Sequence, residues 1–431
     1  MKIDKILHNV KQYINDQPEQ KFVAGETYVP TSGATRNADD IAQVVEVALS
    51  RWYDGKTSYD FERLLAGFVK QRHVTLCNSG SSANLLAISA LTSKELGKRR
   101  LKPGDEVITV AAGFPTTVNP IVQNGLVPVF VDINLPQYNA LPHAIEEAIS
   151  SKTRAVFVAH TLGNPCKARD VRDLCDRNGL WFISDNCDSL GAENHGQPLS
   201  FWADISTFSF YPAHHISTME GGAVSTDNPR LNKIVRSLRD WGRDCWCDPG
   251  HDNTCGKRYE WKLGDLPKGF DHKYIFSEVG YNLKSSDLHA ALGINQIKRV
   301  NSYIQARNDN WNFYRETFDD MAEFFVLPEP TSFSKPSWFG FMLTIKDSAP
   351  FTRGELVQFL ENNRIGTRML FAGNLTKQPA YQDVKYRISG VLTKTDKVTN
   401  GGFWIGVYQG ITSPIRNYVA EKMAKFIKGH K

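Results

Sequence analysis

From about residue 37 to residue 300 the chain alternates short apolar runs with stretches whose apolar residues recur at helical spacing. The runs VTLC (74–77), DEVITVA (105–111), VPVFVDI (127–133), RAVFVAH (154–160) and LWFISD (180–185) are short and rich in β-branched or aromatic residues, so they predict strands. Between them, SSANLLAISALTSKEL and KARDVRDLCDRNG have the spacing of helices. Near-continuous apolar strands separated by helices predict a largely parallel α/β sheet covered on both faces. Strand-like stretches at 205–211 and 222–226 continue the sheet, and a long amphipathic helix is expected from near Ser285 to about 318.

Beyond that helix, FGFMLTI, TRGELVQFLENNR and a C-terminal helix from about residue 413 predict a small α+β unit. The expected organisation is an N-terminal arm over 1–36, a large α/β domain over 37–300 and a small C-terminal α+β domain over 301–431. The stretch 240–280 is rich in Gly, Asp, Trp and Cys. It is long for a structureless loop, which points to a functional segment.

With 431 residues, 41% hydrophobic and 23% charged, the chain can bury one large core and a smaller second one. No apolar run reaches the roughly 18 to 20 residues that span a bilayer, and the opening MKIDKILHNVKQYINDQPEQ lacks a secretory apolar stretch. The expectation is a cytoplasmic protein with no membrane partner. A net charge of +5 is too small to imply nucleic acid and would suit an anionic substrate. Seven cysteines in such a chain favour metal binding or catalysis over disulfides, and three of them fall between Cys245 and Cys255.

Cys77-Asn78-Ser79-Gly80-Ser81-Ser82-Ala83-Asn84 lies between an apolar strand and a helix, where free backbone N–H groups and hydroxyls can form a phosphate cup. Taken alone, such a segment is more often a cap and turn. Asp185 ends another strand, where ligands gather in open α/β sheets, and a pyridinium nitrogen needs such a carboxylate.

Together with FSFYPAHHISTMEGGAV, these pieces resemble the sugar aminotransferase and dehydratase branch of fold-type I pyridoxal-phosphate enzymes, the DegT/DnrJ/EryC1/StrS family, over nearly the whole chain. The resemblance implies that Gly80, Ser81 and Ser82 bind the cofactor phosphate, Phe114 stacks on its ring and Asp185 meets its nitrogen. Ser209 would be a further cofactor contact. Asn282, in Gly280-Tyr281-Asn282, would reach the phosphate of the neighbouring subunit in a homodimer. Where the family has its Schiff-base lysine, this chain has His214, in Ser209-Phe210-Tyr211-Pro212-Ala213-His214. An imidazole can move a proton but cannot form an imine, so pyridoxamine 5′-phosphate (PMP) would be held without a covalent bond. Tyr211 and Asp188 flank the site and could orient substrate or cofactor. Where relatives have Gly before Glu-Gly-Gly, this chain has Met219, which is costly if the turn needs a positive φ.

Cys187, Cys245, Cys247 and Cys255 could bind zinc or an iron–sulfur cluster, and their spacing alone does not separate the two. Cys187 is two residues from Asp185, at most roughly 7 Å away, so a metal on it would lie near the cofactor. With His at the lysine position, and with RDWGRDCWCDPG, AAGFPTTVNP, LFAGNLTKQP and FWIGVYQG, the chain looks like the nucleotide-sugar 3-dehydrases of the family. That resemblance implies a [2Fe–2S] cluster, a nucleotide-diphosphate sugar substrate and an NADH-dependent flavin and iron–sulfur reductase as partner. The expected reaction is loss of the C3 hydroxyl from a 4-keto-6-deoxyhexose, CDP-linked by preference and TDP-linked as the alternative, on the way to 3,6-dideoxy sugars. A nucleotide-sugar aminotransferase is the rival, against which the missing lysine argues.

Overall fold

The computed structural model describes residues 2–18, 21–50, 55–247 and 251–430. The tail of the cysteine motif, residues 248–250, and residues 1, 19 and 20 of the expected arm lie outside the described residues. Helices α1 (Ile3–Asn15), α2 (Ala38–Ser50) and α3 (Lys56–Val69) precede the sheet. β1 (His73–Cys77), α4 (Gly80–Leu91), β2 (Glu106–Val110), α5 (Pro115–Gln123), β3 (Val127–Val131), β4 (Thr153–Ala159), α6 (Ala168–Arg177) and β5 (Trp181–Asp185) then alternate as the apolar pattern requires. β6 (Ile205–Ser209), β7 (Gly222–Thr226) and α7 (Pro229–Arg239) complete the layer.

Next come α8 (Asp287–Thr317), β8 (Phe325–Val326), β9 (Gly340–Ile345), α9 (Arg353–Asn362), β10 (Arg387–Ile388), α10 (Thr393–Gly401), β11 (Gly402–Gly406) and α11 (Ser413–Lys428). The main sheet runs β1-β7-β6-β5-β4-β2-β3-β10. Its pairs are parallel except for β7, which is antiparallel to both β1 and β6. β2, β3 and β5 are buried at every position, as a sheet with helices on both faces demands. The long helix starts where Ser286 caps the amide of His289, one residue from the expected boundary.

The C-terminal part builds its own antiparallel sheet, β8-β9-β11, around a core that includes Trp311, Phe341, Phe403 and Met423. It is not wholly separate in topology, because β10 returns to pair parallel with β3 at the edge of the main sheet. The bidentate contact of Arg387 with Glu106 (3.1 and 2.7 Å) ties that edge down. Between 240 and 280 the described residues form only a short turn at His272–Tyr274 and isolated bridges. No helix of the described residues is long and apolar enough to cross a membrane.

Candidate active site

The carboxyl ends of β1, β5 and β6 and residues of the C-terminal part enclose a cavity of about 940 Å³. Of the expected residues, Gly80, Ser81, Phe114, Asp185, Cys187, Asp188, Ser209, Tyr211 and His214 line it. Ser79, from the same expected segment, lines it too. Ser79 is the cap of α4: its hydroxyl accepts from the Ser82 amide (3.0 Å) and contacts the Ser82 hydroxyl (3.0 Å). Ser82, expected in the cup, is thus turned to Ser79 and does not line the cavity. A side chain on Gly80 would meet Ser209 Cβ at 2.4 Å and Cys187 Sγ at 3.0 Å, so this position needs glycine for the three strand ends to close around it.

Asp185 is buried, and both of its oxygens are occupied. Oδ2 accepts from Asn84 Nδ2 and Thr117 Oγ1, each at 2.8 Å, and Oδ1 accepts from the Cys187 amide at 3.1 Å. Asn84 is fixed in turn by the Thr207 hydroxyl (2.6 Å). Thr117 was not expected, and Asn84 was expected only within the phosphate-cup segment. The signal lay in SSANLLAISAL, where one amide interrupts an otherwise apolar helix and therefore needs a buried partner.

His214 Nδ1 makes no hydrogen bond and lies 3.6 Å from Asp188 Oδ1. Burial, aided by the Arg307 charge, pushes the imidazole down to about 3. Burial and Asp185 push the Asp188 carboxyl up to about 8, with Arg307 acting the other way. At neutral pH the contact is therefore between an uncharged imidazole and a largely protonated carboxyl, and it is not an ion pair. The Phe339 ring covers the histidine at 5.3 Å. Fully buried Arg307, on α8, donates through Nη2 to the carbonyls of Ala213 (3.3 Å) and His214 (3.0 Å), clamping the histidine's backbone. The loop closes where the Thr218 amide returns to the Phe210 carbonyl (2.9 Å), and Met219 at its turn has φ +69°. The positive φ that would make a methionine costly there is what the fold adopts.

Phe114 meets Phe371 edge to face at 5.8 Å, and Tyr211 is half exposed. Asn282 is exposed, accepts from Lys284 Nζ (2.9 Å) and does not line the cavity of its own chain.

The expected metal residues divide into two places. Cys187 faces Gly80, and its thiol is pushed up by burial and by Asp185. Cys245, Cys247 and Cys255 lie in the 240–280 stretch, where Cys255 Sγ is 3.8 Å from His272 Nδ1 and Cys247 Sγ accepts from the Thr254 amide (3.4 Å). Among the described residues no group of three or more His, Cys, Asp or Glu is arranged to hold a metal ion. Cys77, Cys166 and Cys175 are buried, each thiol pushed up to about 12 by that burial.

Residues 35–424 match the DegT/DnrJ/EryC1/StrS aminotransferase family. The lipopolysaccharide biosynthesis protein RfbH of Salmonella typhimurium LT2 is 50% identical over 98% of this chain and 97% of its own length. The dTDP-4-dehydro-2,6-dideoxy-D-glucose 3-dehydratase of Saccharopolyspora spinosa is 51% identical, covering 98% of this chain and 92% of its own. Among solved structures, E. coli GDP-4-keto-6-deoxy-D-mannose-3-dehydratase with bound hydrated pyridoxal phosphate superposes with a TM-score of 0.81 at 26% identity, over 92% of this chain and 99% of that one. The mostly parallel sheet, flanked by helices and followed by a small antiparallel one, is the fold-type I architecture of those enzymes.

Proposed function

The chain belongs to the DegT/DnrJ/EryC1/StrS aminotransferase family, and from that premise we propose that it is a PMP-dependent 3-dehydrase of nucleotide-linked 4-keto-6-deoxyhexoses. The observation that carries the reading is His214 in the cavity of Asp185, at the position where the family resemblance expects a lysine. No lysine is among the described residues lining that cavity, which weighs against an aminotransferase.

The residues present fit the cofactor: a buried acceptor at a strand end, a helix N-terminus crowded enough to require Gly80, and an imidazole nitrogen without a partner. When bound, PMP supplies an amine for the C4 ketone and an electron-poor ring that takes up an electron pair. Asp185 would meet the ring nitrogen, with Asn84 and Thr117 keeping its carboxylate in place. The amides of Gly80 and Ser81 at the start of α4 would hold the phosphate dianion. Without a lysine, nothing at position 214 ties up the amine. His214 takes a proton from the C4′ carbon, and the proton gained is available to the C3 hydroxyl, which leaves as water. Phe339 and Phe114 narrow the space above these groups and limit water.

The finer reading takes a CDP-linked 4-keto-6-deoxyglucose as substrate, in 3,6-dideoxysugar biosynthesis, with a homodimer and a flavin and iron–sulfur reductase as partners. Its support is the resemblance of the motifs; dTDP is the alternative nucleotide. A [2Fe–2S] cluster on Cys187, Cys245, Cys247 and Cys255 belongs to the same reading. The proximity of the last three cysteines favours it.

The test is incubation of purified protein with PMP, NADH, such a reductase and a panel of CDP-, TDP- and GDP-linked 4-keto-6-deoxyhexoses. The expected outcome is 3-deoxygenation, strongest with the CDP sugar. An aminosugar product, or no loss of the C3 hydroxyl from any sugar, overturns the reading. Iron content and visible absorption decide the cluster.

A further inference from the structure

The cavity's charged lining is uneven. Among the described residues it contains three carboxyl side chains, Asp185, Asp188 and Glu220, and a single basic one, Arg368. Arg368 is exposed to the space, donates one hydrogen bond, from Nη1 to the carbonyl of its neighbour Thr367 (2.8 Å), and makes no ion pair among the described residues. An unpaired guanidinium with free donors suits a phosphate group.

Its place in the fold is rigid. The Arg368 amide donates to the Trp404 carbonyl (3.1 Å) and the Trp404 amide donates to the Arg368 carbonyl (2.7 Å), so the middle of β11 fixes its backbone. The buried Trp404 indole adds a hydrogen bond to the Met369 carbonyl (3.0 Å). Alongside runs the N-terminal segment: Val29 and Gly366 exchange hydrogen bonds with that stretch, through Arg364 and Val29 carbonyls at 2.8 Å each. This brings the hydroxyls of Thr31 and Ser32 to the same part of the lining.

Arg368 is also apart from the proton-moving groups. The cation acting on both Asp188 and His214 is Arg307 from α8, and Arg368 contributes to neither. Asp185 and Asp188 stand beside His214 at the end of β5, whereas Arg368 enters the lining from the segment bridged to β11. A nucleotide sugar carries its reacting C3 and C4 on the hexose and two phosphate charges between the hexose and the nucleoside. Only one orientation keeps the diphosphate away from the carboxyl groups.

We infer that Arg368, with Thr31 and Ser32 beside it, forms the subsite for the substrate's diphosphate and thereby sets which end of the nucleotide sugar faces His214. This rests on the proposed function and deepens it.

The probe is CDP, with TDP and GDP alongside, titrated into PMP-loaded protein by calorimetry at two salt concentrations. Arg368→Ala should weaken CDP binding about 10- to 100-fold. Its PMP absorbance and melting temperature should remain those of the wild type. Arg368→Lys should recover part of the affinity. Added salt should weaken the wild type more than Arg368→Ala, since the screened contact is already gone. Equal CDP affinity in Arg368→Ala and wild type, or identical salt dependence, overturns the inference while leaving the dehydrase reading standing. A wild type that binds none of the three nucleotides overturns both.

Discussion

The side-chain amide of Asn84, on α4, lies 2.8 Å from the Asp185 carboxylate at the end of β5. Asn84 also accepts the Thr207 hydroxyl at 2.6 Å, so one residue links the helix that starts at the phosphate cup to two strands of the sheet. Asn84→Ala leaves a buried hydroxyl and a buried carboxylate each short of a partner, at a cost of about 1–3 kcal/mol. Urea unfolding should show that loss, and PMP retention on gel filtration should fall with it. Wild-type stability and retention would mean that Asp185 is held by Thr117 and Cys187 alone.

Asn282 gives the second prediction. Its side chain is exposed and outside its own chain's cavity, as it must be if it serves a partner subunit. In a dimer, Asn282→Ala should lower PMP affinity with little change in melting temperature. With no covalent link, the cofactor depends on such contacts. Unchanged PMP affinity, or full affinity in a demonstrated monomer, refutes the assignment.

Met219 gives the third. An L-residue with a left-handed backbone is strained by roughly 1–2 kcal/mol, and Met219 has φ +69° on an exposed turn. Met219→Gly should be at least as stable as the wild type in thermal unfolding. Met219→Val, with a branched Cβ at a positive φ, should lose about 1 kcal/mol or more. A valine variant as stable as the wild type would show that the turn relaxes out of this conformation.

Much of the main sheet was legible because a parallel sheet between helices leaves apolar runs in every strand: β2, β3 and β5 fall inside the expected runs, and β1 and β4 start one residue before theirs. The site was legible wherever a motif sits at a strand end, as with Gly80, Asp185 and His214. What was hidden depends on contacts between distant segments. Asn84, Thr117 and Arg307 reach the site from inside helices, where a polar residue looks like an irregularity in a helix pattern. The return of β10 to β3 was equally hidden, because a two-residue strand has no period to read. The surroundings of the cysteines were hidden in the same way, since neither the closeness of Cys187 to Gly80 nor that of Cys255 to His272 is encoded in their spacing along the chain.

The last prediction concerns His214. Arg307 holds its backbone carbonyl, Phe339 covers its ring, and its Nδ1 has no hydrogen-bond partner. His214→Asn keeps a similar size and removes the proton-accepting nitrogen. It should slow C4′ proton exchange by about 10² to 10⁴ while PMP still binds. His214→Lys should restore the family's covalent link, so that borohydride fixes pyridoxal phosphate to the chain at position 214. In wild-type protein the same treatment should leave the cofactor dialysable, because no lysine is among the described residues lining the cavity. Full C4′ exchange in His214→Asn, or borohydride trapping at another lysine of the wild type, would give the proton-moving role to a different residue.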